Sequence, residues 1–201
     1  LGYEPKIIGV NPYARPNSDA RYNEKMNLKS LLSSFQKEHK IIPQFNVHNL
    51  EFVQAVISAA TKFDWPIFVG VSPKTGEYAG FDNLAILAKN LAQKMQAQII
   101  LHLDHGKTIG DVKKALEAGF DSVMIDGSGL SFEENIKLTQ KAAKIAHQKG
   151  KIVEGELGAV PIGEATPQNL YTDPQKAKTF VEQTGIDLLA CLLYTSDAAD
   201  E

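Results

Sequence analysis

One cysteine, Cys191, in 201 residues excludes an internal disulfide framework, and the simplest home for such a chain is a reducing compartment, the cytoplasm. No apolar run approaches the roughly 20 residues of a membrane span. A signal-peptide core is not expected either, because Pro5, Lys6, Asn11, Pro12 and Arg15 break up the first residues. Charge of one sign is equally scarce. Against 21 Lys and Arg stand 24 Asp and Glu, for a formal net charge of -3, and Lys and Glu alternate rather than cluster. Nucleic acid and anionic membrane are therefore not expected as main ligands. A Gly-rich dinucleotide-binding turn is missing as well.

What is present is a regular alternation of short apolar runs with amphipathic segments. With 43% hydrophobic and 22% charged residues, the chain can bury a sizeable core, as one domain or part of a larger one. Strands are expected at Ile41 to Val47, Pro66 to Val71, Gln98 to His105, Ser122 to Ser128, Lys151 to Gly158 and Ile186 to Ala190. Between them, helical spacing follows Asn49 as an N-cap, runs from Asn83 to Gln96, and spans Ile109 to Glu117 after Thr108. It continues over Phe132 to Gln148 and from Pro174 to Gln183 behind Asp173. This βα order implies right-handed crossovers and a parallel sheet. About six such units point to an α/β fold, an incomplete (β/α)8 TIM barrel with roughly two units missing. Residues 1–25, rich in Pro, Asn and Arg, read as an extension outside the barrel; 26–191 form the partial barrel. The stretch 192–201 offers no apolar face and resembles translated sequencing adapter after an interrupted frame.

Chemistry gathers at the strand exits. The run Ile99 to Leu103 ends in Asp104, His105 and Gly106, Ser122 to Ile125 ends in Asp126, and Lys151 to Gly158 carries Glu154 and Glu156 on one face. In a parallel sheet these exits share a rim, where α/β proteins place their reactive groups. Imidazole and carboxylate together are a ligand set for a divalent cation such as zinc. Plainer roles compete at several positions. His102 on an apolar strand reads as a hydrogen-bonded core histidine, and Glu154 as a polar group satisfied inside the barrel. Asp126 before Gly127 and Ser72 before Pro73 could each serve a turn.

The strings Pro43-Gln44-Phe45-Asn46, Gly70-Val71-Ser72, His102-Leu103-Asp104-His105-Gly106, Ser122 to Ser128, Phe132-Glu133-Glu134-Asn135, Val153 to Gly158 and Thr184 to Asp187 together resemble class II fructose-bisphosphate and tagatose-bisphosphate aldolases. The order and approximate spacing hold from about Met26 to Ala190. The resemblance implies a zinc-dependent lyase of glycolysis that splits a ketose 1,6-bisphosphate, fructose favoured over tagatose, into dihydroxyacetone phosphate and glyceraldehyde 3-phosphate. It implies His105 as a zinc ligand, and Asp126 and Glu156 as carboxylates that bind or steer a metal in an alternative or second position, for a further divalent or a monovalent cation. Asp104 is implied as the acid that serves the aldehyde oxygen. Ser72 and Asn46 fall on the glyceraldehyde 3-phosphate side, and Glu164 on a mobile loop that takes the proton from dihydroxyacetone phosphate. A homo-oligomer, dimer or tetramer, is implied for the full-length protein.

Two departures accompany that likeness. Where the family has two glycines and a Glu-Asp pair in the loop, this chain has Pro161-Ile162 and Glu164-Ala165. The family's two further zinc histidines and its phosphate loop follow the position of Ala190, and His39, His48, His102 and His147 do not match them. The chain by itself is thus expected to be inactive and aggregation-prone, with open sheet edges. The reading from a different class is a non-catalytic fragment or binding protein that keeps the substrate-contacting half.

Overall fold

The computed structural model describes residues 27–158 and 172–191. Within them run α1 (Leu28–Lys37), β1 (Gln44–Asn46), α2 (Leu50–Phe63), β2 (Ile67–Val71), α3 (Pro73–Ala79), α4 (Phe81–Met95), β3 (Ile99–Gly106), α5 (Ile109–Glu117), β4 (Ser122–Ile125), α6 (Phe132–Gln148), β5 (Ile152–Leu157), α7 (Pro174–Thr184) and β6 (Leu188–Cys191). The six strands form one sheet in the order β1-β2-β3-β4-β5-β6, every neighbouring pair parallel. Sequential order with parallel pairing is the topology of a barrel laid open, the incomplete (β/α)8 architecture expected above. No helix among the described residues is long and apolar enough to cross a membrane.

Local chemistry explains the boundaries. Asn49 accepts the N–H of Phe52 to open α2. Thr108 with Asp111, and Ser131 with Glu134, close reciprocal capping boxes at α5 and α6, each cap worth about 1 kcal/mol. Pro174 at the first turn of α7 follows Asp173, whose carboxylate takes the N–H of Gln175 and Lys176. Two helices lie outside the segments expected from the sequence, α1 and α3; in α3, Pro73 and Gly76 look like a turn. That helix forms because Ser72 caps it and because Gly76 leaves room for the Phe81 ring.

Alternation along the strands builds two layers. Val69, Val71, Leu101, Leu103, Val123, Ile125 and Val153 join Val53, Ile57, Leu84, Val112, Phe120 and Phe180 from the helices and their connections in the main core. The opposite, inner face carries Phe68, Ile100, His102, Met124 and Ile152, all buried, with Phe68 meeting His102 edge-on at 5.7 Å between ring centroids. Towards the carboxyl ends of the strands this inner face turns polar. There it presents Asp104, Asp126, Glu154 and Glu156.

Candidate metal and proton-transfer site

Strict alternation would send Asp104 and His105 to opposite faces of β3. The ladder to β4 shows why it does not. Leu103 pairs with Val123 but Gly106 pairs with Ile125, so β3 spends one residue more than its partner, a β-bulge. His105 occupies that bulge with φ of +52°, a left-handed conformation that a side-chain-bearing residue seldom adopts and that clusters at functional sites. Gly106 then rejoins the ladder where a Cβ would lie 2.7 Å from the Met124 carbonyl. The bulge keeps Asp104 on the inner face and swings His105 to the rim.

At that rim His105 meets the ends of the next two strands. Its Nδ1 lies 3.0 Å from Asp126 Oδ2 and 3.2 Å from Glu156 Oε2. Ligand atoms of these three residues all fall within 4.8 Å of one another. Asp126 Oδ1 also accepts the Ser128 N–H at 3.0 Å and the Ser128 hydroxyl at 2.6 Å, and Lys107 Nζ pairs with Oδ2. Burial pushes the Asp126 carboxyl up, but His105, Lys107 and Ser128 outweigh it and hold the group well below the usual carboxylate range. In return the Asp126 carboxylate, then Glu156, raise His105 to about 10. The imidazole is therefore charged at neutral pH and must shed a proton before that nitrogen serves as a ligand.

These residues fit a divalent cation. One imidazole nitrogen and two carboxylates make an N/O donor set suited to zinc. The single proton on Nδ1 can serve one carboxylate, and Asp126 is nearer. Among the described residues Glu156 Oε2 is left buried with no hydrogen-bond partner, a cost that a bound cation would remove.

Asp104 occupies the neighbouring inner position. Its Oδ1 accepts Gln44 Nε2 at 3.0 Å and its Oδ2 accepts Asn46 Nδ2 at 2.7 Å. Asn46 thus sits on the same rim, bonded to Asp104. Ser72, at the exit of β2, spends its hydroxyl on the Thr75 N–H at 3.3 Å and on Thr75 Oγ1 at 3.0 Å, capping α3. The turn role weighed against Ser72 is thus present in the structure. Below the rim, His102 Nδ1 lies 3.0 Å from Ser122 Oγ and its Nε2 3.5 Å from Glu154 Oε2. Burial pushes His102 down to about 4 and Glu154 up to about 7, the latter aided by the Asp104 charge. His102 is a neutral core histidine and Glu154 its barrel-interior neighbour. Glu164, and the stretches 1–25 and 192–201, lie outside the described residues.

Lys107 and Gln44 were not singled out from the sequence. Gln44 had a signal: two residues before Asn46 on a strand, it must share that residue's face. Lys107 had none, since a lysine after His-Gly reads as loop.

The sequence matches the family description "Fructose-bisphosphate aldolase class-II" over residues 26–196. It is 36% identical over 173 residues to the D-tagatose-1,6-bisphosphate aldolase subunit GatY of Klebsiella oxytoca, covering 84% of this chain and 61% of that protein. The fold superposes on the YdjI aldolase of Escherichia coli K12 with a TM-score of 0.73 and 34% identity, over 82% of this chain and 60% of that one. It also superposes on the fructose-bisphosphate aldolase Fba of Campylobacter jejuni with a TM-score of 0.72, over 82% and 56% of the two chains. At 24% identity that second likeness speaks to the fold alone. The chain thus spans about 60% of the length of these relatives.

Proposed function

Because this chain belongs to the class II fructose-bisphosphate aldolase family, we propose that the protein carrying it performs a reversible, zinc-dependent retro-aldol cleavage of a ketose 1,6-bisphosphate. Fructose 1,6-bisphosphate is the favoured substrate, the products are dihydroxyacetone phosphate and glyceraldehyde 3-phosphate, and glycolysis in the cytoplasm is the setting. The observation that carries this reading is the convergence of His105, Asp126 and Glu156 beside the amide-held Asp104. A second reading, tagatose 1,6-bisphosphate as substrate, is favoured by the 36% identity to a tagatose-bisphosphate aldolase subunit.

In this reading His105, Asp126 and Glu156 hold the ion, in a full-length protein that adds further ligands and assembles as a homo-oligomer. Zinc, when bound, supplies a Lewis acid that draws charge from the ketose oxygens as the carbon–carbon bond breaks. Asp104 takes the proton from the hydroxyl that becomes the aldehyde, and returns it in the condensation direction. Its carboxylate is suited to this because both oxygens are fixed while lone pairs remain free. Asn46 and the Ser72 end of β2 line the glyceraldehyde 3-phosphate half. Glu164 exchanges the proton at the dihydroxyacetone phosphate carbon.

Chelation tests the proposal on the protein translated from the complete reading frame. Cleavage of fructose 1,6-bisphosphate should disappear with chelator and return with zinc, and the tagatose epimer run in parallel ranks the two substrates. Turnover indifferent to chelator would sink the metal mechanism.

A further inference from the structure

We infer that Gln44 is a positioning residue for Asp104, an assignment that rests on the reading of Asp104 as the proton-transfer acid. Strand β1 is only three residues long, and its side chains are exposed among the described residues. A glutamine and an asparagine at successive positions of one face add nothing to a core, and asparagine is depleted in strands. Both amides nevertheless end on a single carboxylate, one nitrogen on each oxygen.

That meeting requires an unusual reach. Asp104 stands on β3, and β2 lies between it and β1. Two strand spacings of about 4.8 Å have to be crossed above the inner face of β2. The crossing is open because the residue of β2 opposite Asn46 is Gly70. A Cβ at position 70 would overlap Asn46 Oδ1 and lie 3.3 Å from Gln44 Nε2. The glycine therefore makes a trough in which both amides lie, and it also seats the Asn46 carbonyl so that its nitrogen points to Asp104.

The chemistry of the pair suits a group that must accept and return a proton. A carboxylate's terminal torsion is broad and roughly two-fold, so one donor leaves its plane poorly fixed. Two donors on the two oxygens define that plane and leave one lone-pair position on each oxygen for substrate. Amide N–H groups do not release their protons at neutral pH. They orient Asp104 without competing with it. Gln44 acts only through Asp104.

The test uses the full-length, zinc-loaded protein and two variants at Gln44, with a melting curve beside the kinetics. Gln44→Met keeps the length and removes the donor; Gln44→Glu keeps the shape and turns the donor into a repelling acceptor. Three quantities are measured: kcat and KM for bisphosphate cleavage, solvent exchange of the dihydroxyacetone phosphate C–H proton, and bound zinc. Exchange does not pass through the aldehyde oxygen. Gln44→Met should lower the cleavage kcat about 10- to 100-fold, the loss expected for a hydrogen bond to a charged group. KM should stay within about twofold, with exchange and zinc content unchanged and Gln44→Glu at least as impaired. Wild-type cleavage in Gln44→Met, or cleavage and exchange falling together, overturns the assignment. If the unsubstituted protein neither cleaves nor exchanges, the aldolase reading itself fails and the role of Gln44 falls with it.

Discussion

The two rims of this sheet handle carboxylates in opposite ways. At the amino rim, Asp121 and Asp187 each follow a left-handed glycine and a buried apolar residue, Gly119-Phe120 and Gly185-Ile186. Each clamps the strand before it. The Asp121 N–H donates to the Leu101 carbonyl and its carboxylate accepts the Leu101 N–H and Lys151 Nζ; Asp187 does the same with Val153, adding His147 at 2.8 Å and Lys29 at 2.7 Å. At the carboxyl rim, Glu156 Oε2 is buried without a hydrogen bond among the described residues and His105 sits in a left-handed backbone. One rim saturates its charges and fixes strand register. The other draws Asp104, His105, Asp126 and Glu156 close together and leaves Glu156 Oε2 incompletely satisfied among the described residues, a clustering typical of functional sites.

Substitutions at the two rims should therefore separate activity from stability. The largest effect is expected from Asp104→Ala in the full-length protein, a fall in kcat of about 100- to 10,000-fold with little change in substrate binding. Steady-state kinetics beside a melting curve checks this, and normal turnover would remove the contrast. Asp121→Ala should behave inversely. It strips the Leu101 N–H and Lys151 of an acceptor and should cost about 1–3 kcal/mol in denaturant titration, while chelator sensitivity and kcat of the folded protein hold.

The smallest effect is a pH dependence at Asp187. Burial pushes its carboxyl up, but Lys29, the Val153 N–H and His147 together bring it below its ordinary value. A carboxyl lowered by folding stabilises the native state above its unfolded value of about 3.9, and that stabilisation is lost as pH falls through the lower folded value. The melting-temperature gap between the parent and Asp187→Asn should be widest near neutrality and narrow below roughly pH 5. A gap that stays constant down to strongly acid pH would show that Asp187 acts by shape alone.

Much of this arrangement is legible in the chain because strand order and helix caps are written locally. Apolar runs bounded by polar exits mark β2 to β5, and Asn49, Thr108, Ser131 and Asp173 mark helix starts through short-range hydrogen bonds. The C-caps of α2 and α4 are less visible: Asp64 and Gln96 take left-handed conformations at φ of +48° and +54°, where glycine would have been the signal. The site was legible as residues but not as geometry. Period-two alternation places His105 away from Asp104, and the bulge that overrules it depends on pairing with β4, a relation between segments distant in sequence. The same holds for Gln44, whose partner stands two strands away, across a glycine that reads as ordinary strand.

The bulge at His105 also has a mechanical consequence. Adjacent residues share a planar peptide unit, so a backbone displacement at the bulge shifts the Cα atoms of Asp104 and His105 together. Removing a single residue here would flatten the ladder and turn the imidazole outward into the helical layer.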